Sequence, residues 1–137
     1  MFINFSDLPG QQNLFLDYLY EFENVQNFYK KNFRDTTFYK QQIENLRKKS
    51  YSHRERLSEI IKLQYETLTP SKQTVSNISS LKDQNTFAVV TGQQLGIYGG
   101  PLYTFYKIVT AIKLCSELKG IYNSFNFVPV FWLEGDD

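Results

Sequence analysis

Apolar and polar positions along this chain follow two regimes. Between Gln11 and about Asn32 the residues Phe15, Tyr18, Leu19, Phe22, Val25 and Phe28 recur at helical spacing, which predicts a helix. A second helix fits Thr37 to Lys48 through Ile43 and Leu46. Ser52-His53-Arg54-Glu55 has the capping-box pattern, Ser at the cap and Glu three later, so a third helix is expected to start there. It would run to Leu68 through Leu57, Ile60, Ile61 and Leu63. Thr69-Pro70 opens a fourth, Ser71 to Lys82, and Asp83-Gln84-Asn85 breaks it. Ahead of these, Met1 to Gly10 reads as an extended lead-in with a turn at Pro9-Gly10.

The regime changes at Phe87. Phe87-Ala88-Val89-Val90-Thr91 is short, apolar and largely β-branched, the pattern of a strand buried on both faces. A turn-rich stretch follows, with Gly92, Gly96, Gly99 and Gly100 among nine residues, and Pro101 sits where a helix would begin. The helix is expected from Leu102 to about Lys119, with Phe105, Ile108, Val109, Ile112 and Cys115 on its buried stripe and Gly120 ending it. A second strand, Val128 to Leu133, carries Pro129 near its beginning or at an unpaired edge. Together these form a βαβ unit, so its strands should be parallel with a right-handed crossover. Ligands of such α/β sheets sit beyond the carboxyl ends of the strands. The Gly92–Gly100 segment and Glu134-Gly135-Asp136-Asp137 both fall at that edge. Strand, glycine-rich loop and helix N-terminus is also an arrangement that offers backbone N–H groups to an anion. It is neither a P-loop nor a G-x-G-x-x-G fingerprint.

Composition narrows the class without choosing a function. The chain has 137 residues, enough for one domain, and its 17% aromatic content argues against disorder. A net charge of +1 gives no overall bias toward nucleic acid or an anionic membrane. Charge is uneven, however: residues 30–63 hold ten Lys/Arg against four acids, and residues 1–29 carry −4. The single cysteine, Cys115, excludes an internal disulfide and suits a reducing, cytoplasmic setting. The start MFINFSDLPG has no signal-peptide pattern, and no run approaches the ~18 apolar residues of a membrane span.

The stretch VVTGQQLGIYGGPLYTFYKIVTAIKL, followed by NFVPVFWLEGDD, resembles the cysteine-adding enzymes of bacillithiol biosynthesis, the BshC family of cysteine ligases. The T-G-Q-Q-x-G loop, the G-G-P-L-Y-T-x-Y-K helix start and the V-P-V-F-W-L-E-G-D-D strand end match in order and spacing. The resemblance covers the whole chain, as the amino-terminal part of the family's length. It implies an α/β, Rossmann-like core related to class I aminoacyl-tRNA synthetases and nucleotidylyl transferases. Only the first βαβ unit, residues 86–137, would be present here, after a helical lead-in over 1–85. The implied reaction adds cysteine to the glucosamine nitrogen of glucosaminyl-malate, the last step to bacillithiol. Cysteine and glucosaminyl-malate would then be the small-molecule partners, with no nucleic acid and no membrane. Full-length members would form a homodimer through a coiled coil that this chain lacks. No motif requires a cofactor, and ATP is compatible with the resemblance.

On that resemblance the candidate catalytic residues are Lys107, Glu134, Asp136 and Asp137. The substrate-binding candidates are Thr91, Gly92, Gln93, Gln94, Gly96, Gly99, Gly100, Tyr103 and Trp132. Gln93 and Gln94 are amides that both donate and accept, useful against a hydroxylated or amino-acid ligand, or simply against their own backbone. Tyr103 and Lys107 lie four apart on one helix face, and Lys107 can lean back toward the loop or stay solvated. The acidic residues could bind an amine, orient a hydroxyl, act as base or hold a metal, and a surface turn would look the same. Trp132 reads first as core, Cys115 as a buried inert thiol and His53 as surface. No Cys/His cluster has metal-ligand spacing.

Two other functions fit parts of the pattern. One is an ATP-using nucleotidylyl transferase or synthetase-like domain, weakened by Gly92-Gln93-Gln94 where a His-x-x-His-type signature would stand. The other is a helical RNA- or protein-interaction module using the basic residues 30–63. Because two apolar strands alone leave unpaired edges, the chain is expected to be a fragment that is inactive by itself.

Overall fold

The computed structural model describes residues 3–29, 31–49, 51–94 and 96–135. The chain divides into two compact units, Met1–Leu46 and Arg47–Asp137.

In the first unit the lead-in is not extended throughout. Asn4 accepts from the Ser6 N–H and caps a 3-10 turn, Phe5–Asp7. Helix α1 spans Asn13–Tyr20, and the long helix expected to reach Asn32 stops there. Glu21 leaves helical geometry and a 3-10 turn, Phe22–Asn24, follows. The chain bends because side chains favour it. The Asn24 amide donates to both Asp17 and Glu21, at 3.1 Å each, and Tyr18 collects Phe22, Tyr29 and Phe33 around its ring. Tyr18 and Phe22, which spacing assigned to one helical stripe, therefore meet Tyr29 and Phe33, which it did not, around a turn. Helix α2, Thr37–Arg47, is where the spacing put it, with Asp35 accepting from the Thr37 hydroxyl and N–H at its start.

The second unit carries the sheet. Helix α3 spans Arg54–Gln64; it begins after His53, and Ser52 is not its cap. Arg54 governs that start. Its Nη1 donates to the carbonyls of Leu81, Asp83 and Thr86, fastening the helix to the turn that leads into the first strand. Helix α4, Lys72–Ser80, is capped by Ser71, whose Oγ accepts from the Thr74 N–H. Ser58 is fully buried and donates to the Ile78 carbonyl, so α3 and α4 meet through a satisfied polar contact.

Strand β1 spans Thr86–Gln94 and β2 spans Asn126–Glu134, joined by α5, Leu102–Ile121. The strands are parallel and in register from Thr86↔Asn126 to Gln94↔Glu134. Both run longer than their apolar runs, and Gly92-Gln93-Gln94 is strand rather than loop. Pro129 stands mid-strand opposite Val89, where its missing N–H suits an edge strand. Pro101 is the N-cap of α5 rather than its first helical residue, and Gly120 lies inside the helix.

The buried stripe of α5 is also rotated from expectation: Thr104, Ala111, Cys115 and Leu118 face inward, while Phe105, Val109 and Ile112 are exposed. This helix is apolar on more than one side, so spacing alone does not choose the face. Phe87, Phe127, Val128, Leu81 and Ile78 complete the core. The first strand is not buried on both faces, because Val90 is 63% exposed. Among the described residues no helix is long and apolar enough to cross a membrane.

Candidate functional site

The carboxyl edge of the sheet is built from two matched strand ends. Side chains alternate across a strand, and registered partners of a parallel pair share a face. Gln93 and Leu133 therefore share one face, and Gln94 and Glu134 the other. Helix α5 lies on the Gln93 side. Lys107, in its second turn, leans back toward the helix N-terminus, as helical side chains do. Its Nζ donates to Gln93 Oε1 at 2.9 Å and to the Gly92 carbonyl at 3.3 Å. The same ammonium stands 4.9 Å from the centre of the Tyr103 ring. Lys107, Gln93, Gly92 and Tyr103 are thus one cluster.

Its electrostatics are specific. Amide and carbonyl oxygens stabilise an ammonium without neutralising it, and the ring face adds to this. Among the described residues no carboxylate pairs with Lys107. Accepting from Lys107 also orients the Gln93 amide and leaves its NH₂ end to donate elsewhere.

Gly92 has a packing role that its place in a glycine-rich motif does not reveal. A Cβ there would stand 2.6 Å from the Trp132 carbonyl oxygen and 3.0 Å from Trp132 Cβ. Only glycine lets β2 come this close, and the sheet continues to Gln94 because of it. Beyond the strand, Tyr98, Gly99 and Gly100 all have positive φ (54°, 89° and 81°), and a Cβ at Gly96 would stand 2.7 Å from the Gly100 α-carbon. Tyr98 is fully exposed in this conformation, which costs a non-glycine residue about 1 kcal/mol. This turn delivers the chain to Pro101 and the uncapped first turn of α5.

Of the other candidates, Thr91 is half-buried in β1, and Glu134 is exposed at the end of β2, in register with Gln94. Trp132 is not core: it is 65% exposed, on the face away from the Lys107–Gln93 cluster. Asp136 and Asp137 lie outside the described residues. Cys115 is buried, and its thiol is pushed above the ordinary range by burial, partly offset by the Val89 N–H. Burial in apolar surroundings makes a thiol less reactive. His53 is exposed at the start of α3. No group of three metal-ligating side chains gathers among the described residues.

Thr104 was not singled out by the spacing and emerges from the structure. It is 5% exposed, and its Oγ1 is buried without a hydrogen-bond partner. In the sequence it is the threonine of the G-G-P-L-Y-T-x-Y-K helix start, and a hydroxyl residue four before Ile108 and seven before Ala111, where the inward stripe would have an apolar side chain.

A family model described as "Bacillithiol biosynthesis BshC, N-terminal Rossmann-like domain" matches residues 1–137. The chain is 44% identical over 126 residues to the "Putative cysteine ligase BshC" of Christiangramia forsetii, covering 90% of this chain and 23% of that protein. It is 39% identical over 126 residues to the protein of the same name from Flavobacterium psychrophilum, covering 90% and 24%. Against the one from Cytophaga hutchinsonii it is 36% identical over 141 residues, covering 98% and 26%. The chain therefore spans about a quarter of the length of these relatives.

Proposed function

Because this chain belongs to the BshC family of bacillithiol biosynthesis, as its N-terminal Rossmann-like domain, we propose that it contributes one wall of a cysteine ligase site. The reaction joins the cysteine carboxyl carbon to the glucosamine nitrogen of glucosaminyl-malate. The carboxyl is activated by a nucleoside-triphosphate co-substrate, its C–O bond to the phosphate-bearing leaving group breaks as the C–N bond forms, and the amine gives up a proton to leave the amide of bacillithiol. It is the last step of that synthesis. The relatives carry the ligase name, and this chain has about a quarter of their length, so the activity belongs to the longer polypeptide. By itself this segment is inactive in the proposal.

The observation that carries the reading is the Lys107–Gln93 pair at the carboxyl edge of β1. Lys107 supplies positive charge to a ligand carboxylate while it aims the Gln93 amide. Gln94, Gly96, Gly99, Gly100, Thr91 and Tyr103 shape the floor on which the ligand lies. Glu134, with Asp136 and Asp137 following in sequence, supplies acceptors for the amino group and hydroxyls of the sugar. One of these carboxylates takes the proton that the attacking amine must lose. Trp132, exposed on the opposite face of the sheet, offers a flat apolar surface to a part of the substrate that reaches around the strand end.

The test uses a polypeptide of the relatives' length that carries this segment. Lys107→Ala and Gln93→Ala should each lower cysteine transfer to glucosaminyl-malate by at least tenfold with helical dichroism unchanged. Wild-type turnover in both would remove the cluster from the mechanism.

A further inference from the structure

Helix α5 is apolar on two sides, and the sheet uses only one of them. Thr104, Ala111, Cys115 and Leu118 are the side it buries. Leu102, Phe105, Tyr106, Val109 and Ile112 make a second stripe on the opposite side, at spacings of three and four. All five are between 42% and 69% exposed. The stripe runs for about 15 Å, at 1.5 Å per residue. It then stops: from Lys113 onward the same side is polar, and Lys113 and Glu117 stand 3.9 Å apart as an ion pair with both side chains open to water. A helix side solvated along its whole length is polar along its whole length, whereas a contiguous apolar patch marks a contact surface.

The accessible area points to what covers it. The molecule exposes 11066 Å². Two folded units of the sizes found here would expose roughly 9,000 Å² between them. The surplus of about 2,000 Å² is more than twice the ~800 Å² that one partner loses in a standard interface, so a single second copy does not account for it. A longer polypeptide does. The matched family model is an N-terminal domain, and the relatives are about four times as long as the matched segment.

We propose that a helix from the later part of the same polypeptide packs its apolar face on the Leu102–Ile112 stripe and leaves Lys113 and Glu117 in water. A helix fits this surface because residues three and four apart make the ridges between which another helix's side chains settle. Since α5 starts at the carboxyl edge of the sheet, the contact holds the rest of the polypeptide beside the candidate site. The inference rests on family membership and not on the ligase chemistry.

The experiment uses the polypeptide of the relatives' length carrying this segment. Hydroxyl-radical footprinting compares side-chain oxidation in the native and the denatured protein. Phe105 should be protected about tenfold, as expected for Phe87, which is 8% exposed. At the 61% exposure that Phe105 has here, protection would be only about twofold, and that result overturns the contact. Phe105→benzoylphenylalanine, photo-cross-linked in an equal mixture of heavy-isotope and unlabelled protein, identifies the occupant. Cross-links of uniform isotope to a segment beyond residue 137 support the proposal. Mixed-isotope cross-links as frequent as uniform ones mean a second copy, and absence of any cross-link beyond residue 137 means another cover; either overturns it. Glu117→benzoylphenylalanine should give no such cross-link, and one as strong as at position 105 contradicts the boundary at Lys113. Cysteine transfer is measured separately: a protected stripe in a protein that makes no amide defeats the ligase reading and leaves this contact standing, and transfer with an unprotected stripe does the reverse.

Discussion

Gly92→Ala tests how the sheet edge is built. The added methyl would lie 2.6 Å from the Trp132 carbonyl oxygen and 3.0 Å from its Cβ. Neither neighbour is the free end of a flexible side chain, so relief requires the strands to part. Overpacking of this kind costs about 1–3 kcal/mol. The two registered pairs beyond it, Gln93↔Leu133 and Gln94↔Glu134, lose their ladder bonds as well, each worth about 1 kcal/mol. A local destabilisation of about 3–5 kcal/mol follows. In amide exchange this appears as opening of the far halves of β1 and β2 that is about 150- to 4,000-fold more frequent. Gly99→Ala is the control. Its φ of 89° strains an alanine by about 1 kcal/mol, yet a Cβ there meets nothing within 4 Å, so faster exchange should be confined to the loop. Exchange in Gly92→Ala that matches wild type, or matches Gly99→Ala, would refute the close-approach argument.

Three smaller predictions follow from single residues. Gly120 lies within α5, and a Cβ there meets nothing within 4 Å, so Gly120→Ala should stabilise the helix by about 0.5–1 kcal/mol in a denaturant melt. Burial raises the Cys115 thiol, so iodoacetamide at pH 8 should alkylate it much more slowly in the native protein than in denaturant, and equal rates would contradict its placement. The Thr37 hydroxyl, with the Thr37 N–H, holds the Asp35 carboxyl below its ordinary value. A depressed carboxylate stabilises the fold above its unfolded pKa and stops doing so as pH falls through the folded value. The start of α2 should therefore loosen only below about pH 3.8, and Asp35→Ala should abolish that pH step in the Thr37 and Phe38 amide signals.

The βαβ unit was legible because its parts are locally consistent: two β-branched or aromatic runs, glycine and proline punctuation, and a long apolar helix between them. The polar ends of the strands were not. Gly92-Gln93-Gln94 has turn composition, and it becomes strand only because β2 supplies a backbone partner and Gly92 admits it. The inward face of α5 was misplaced because Phe105, Val109 and Ile112 are as apolar as the residues that are buried. The long helix through Asn32 failed for another reason, since the bonds from Asn24 to Asp17 and Glu21 are local side-chain contacts that hydrophobic periodicity does not register. Of the candidate site, the lean of Lys107 toward the loop was readable from helix geometry. Its partner, Gln93 Oε1, was not, because that contact depends on Gln93 being strand.

The central claim is that this domain serves a cysteine ligase, and product analysis tests it most directly. A polypeptide of the relatives' length carrying this segment would be incubated with cysteine, glucosaminyl-malate and clarified extract as a source of any co-substrate, beside the same protein with Lys107→Ala and Gln93→Ala combined. Mass spectrometry should find glucosaminyl-malate converted to its cysteinyl amide by the unmodified protein, with little or none made by the double variant. No amide from either protein, or equal amounts from both, would contradict the account.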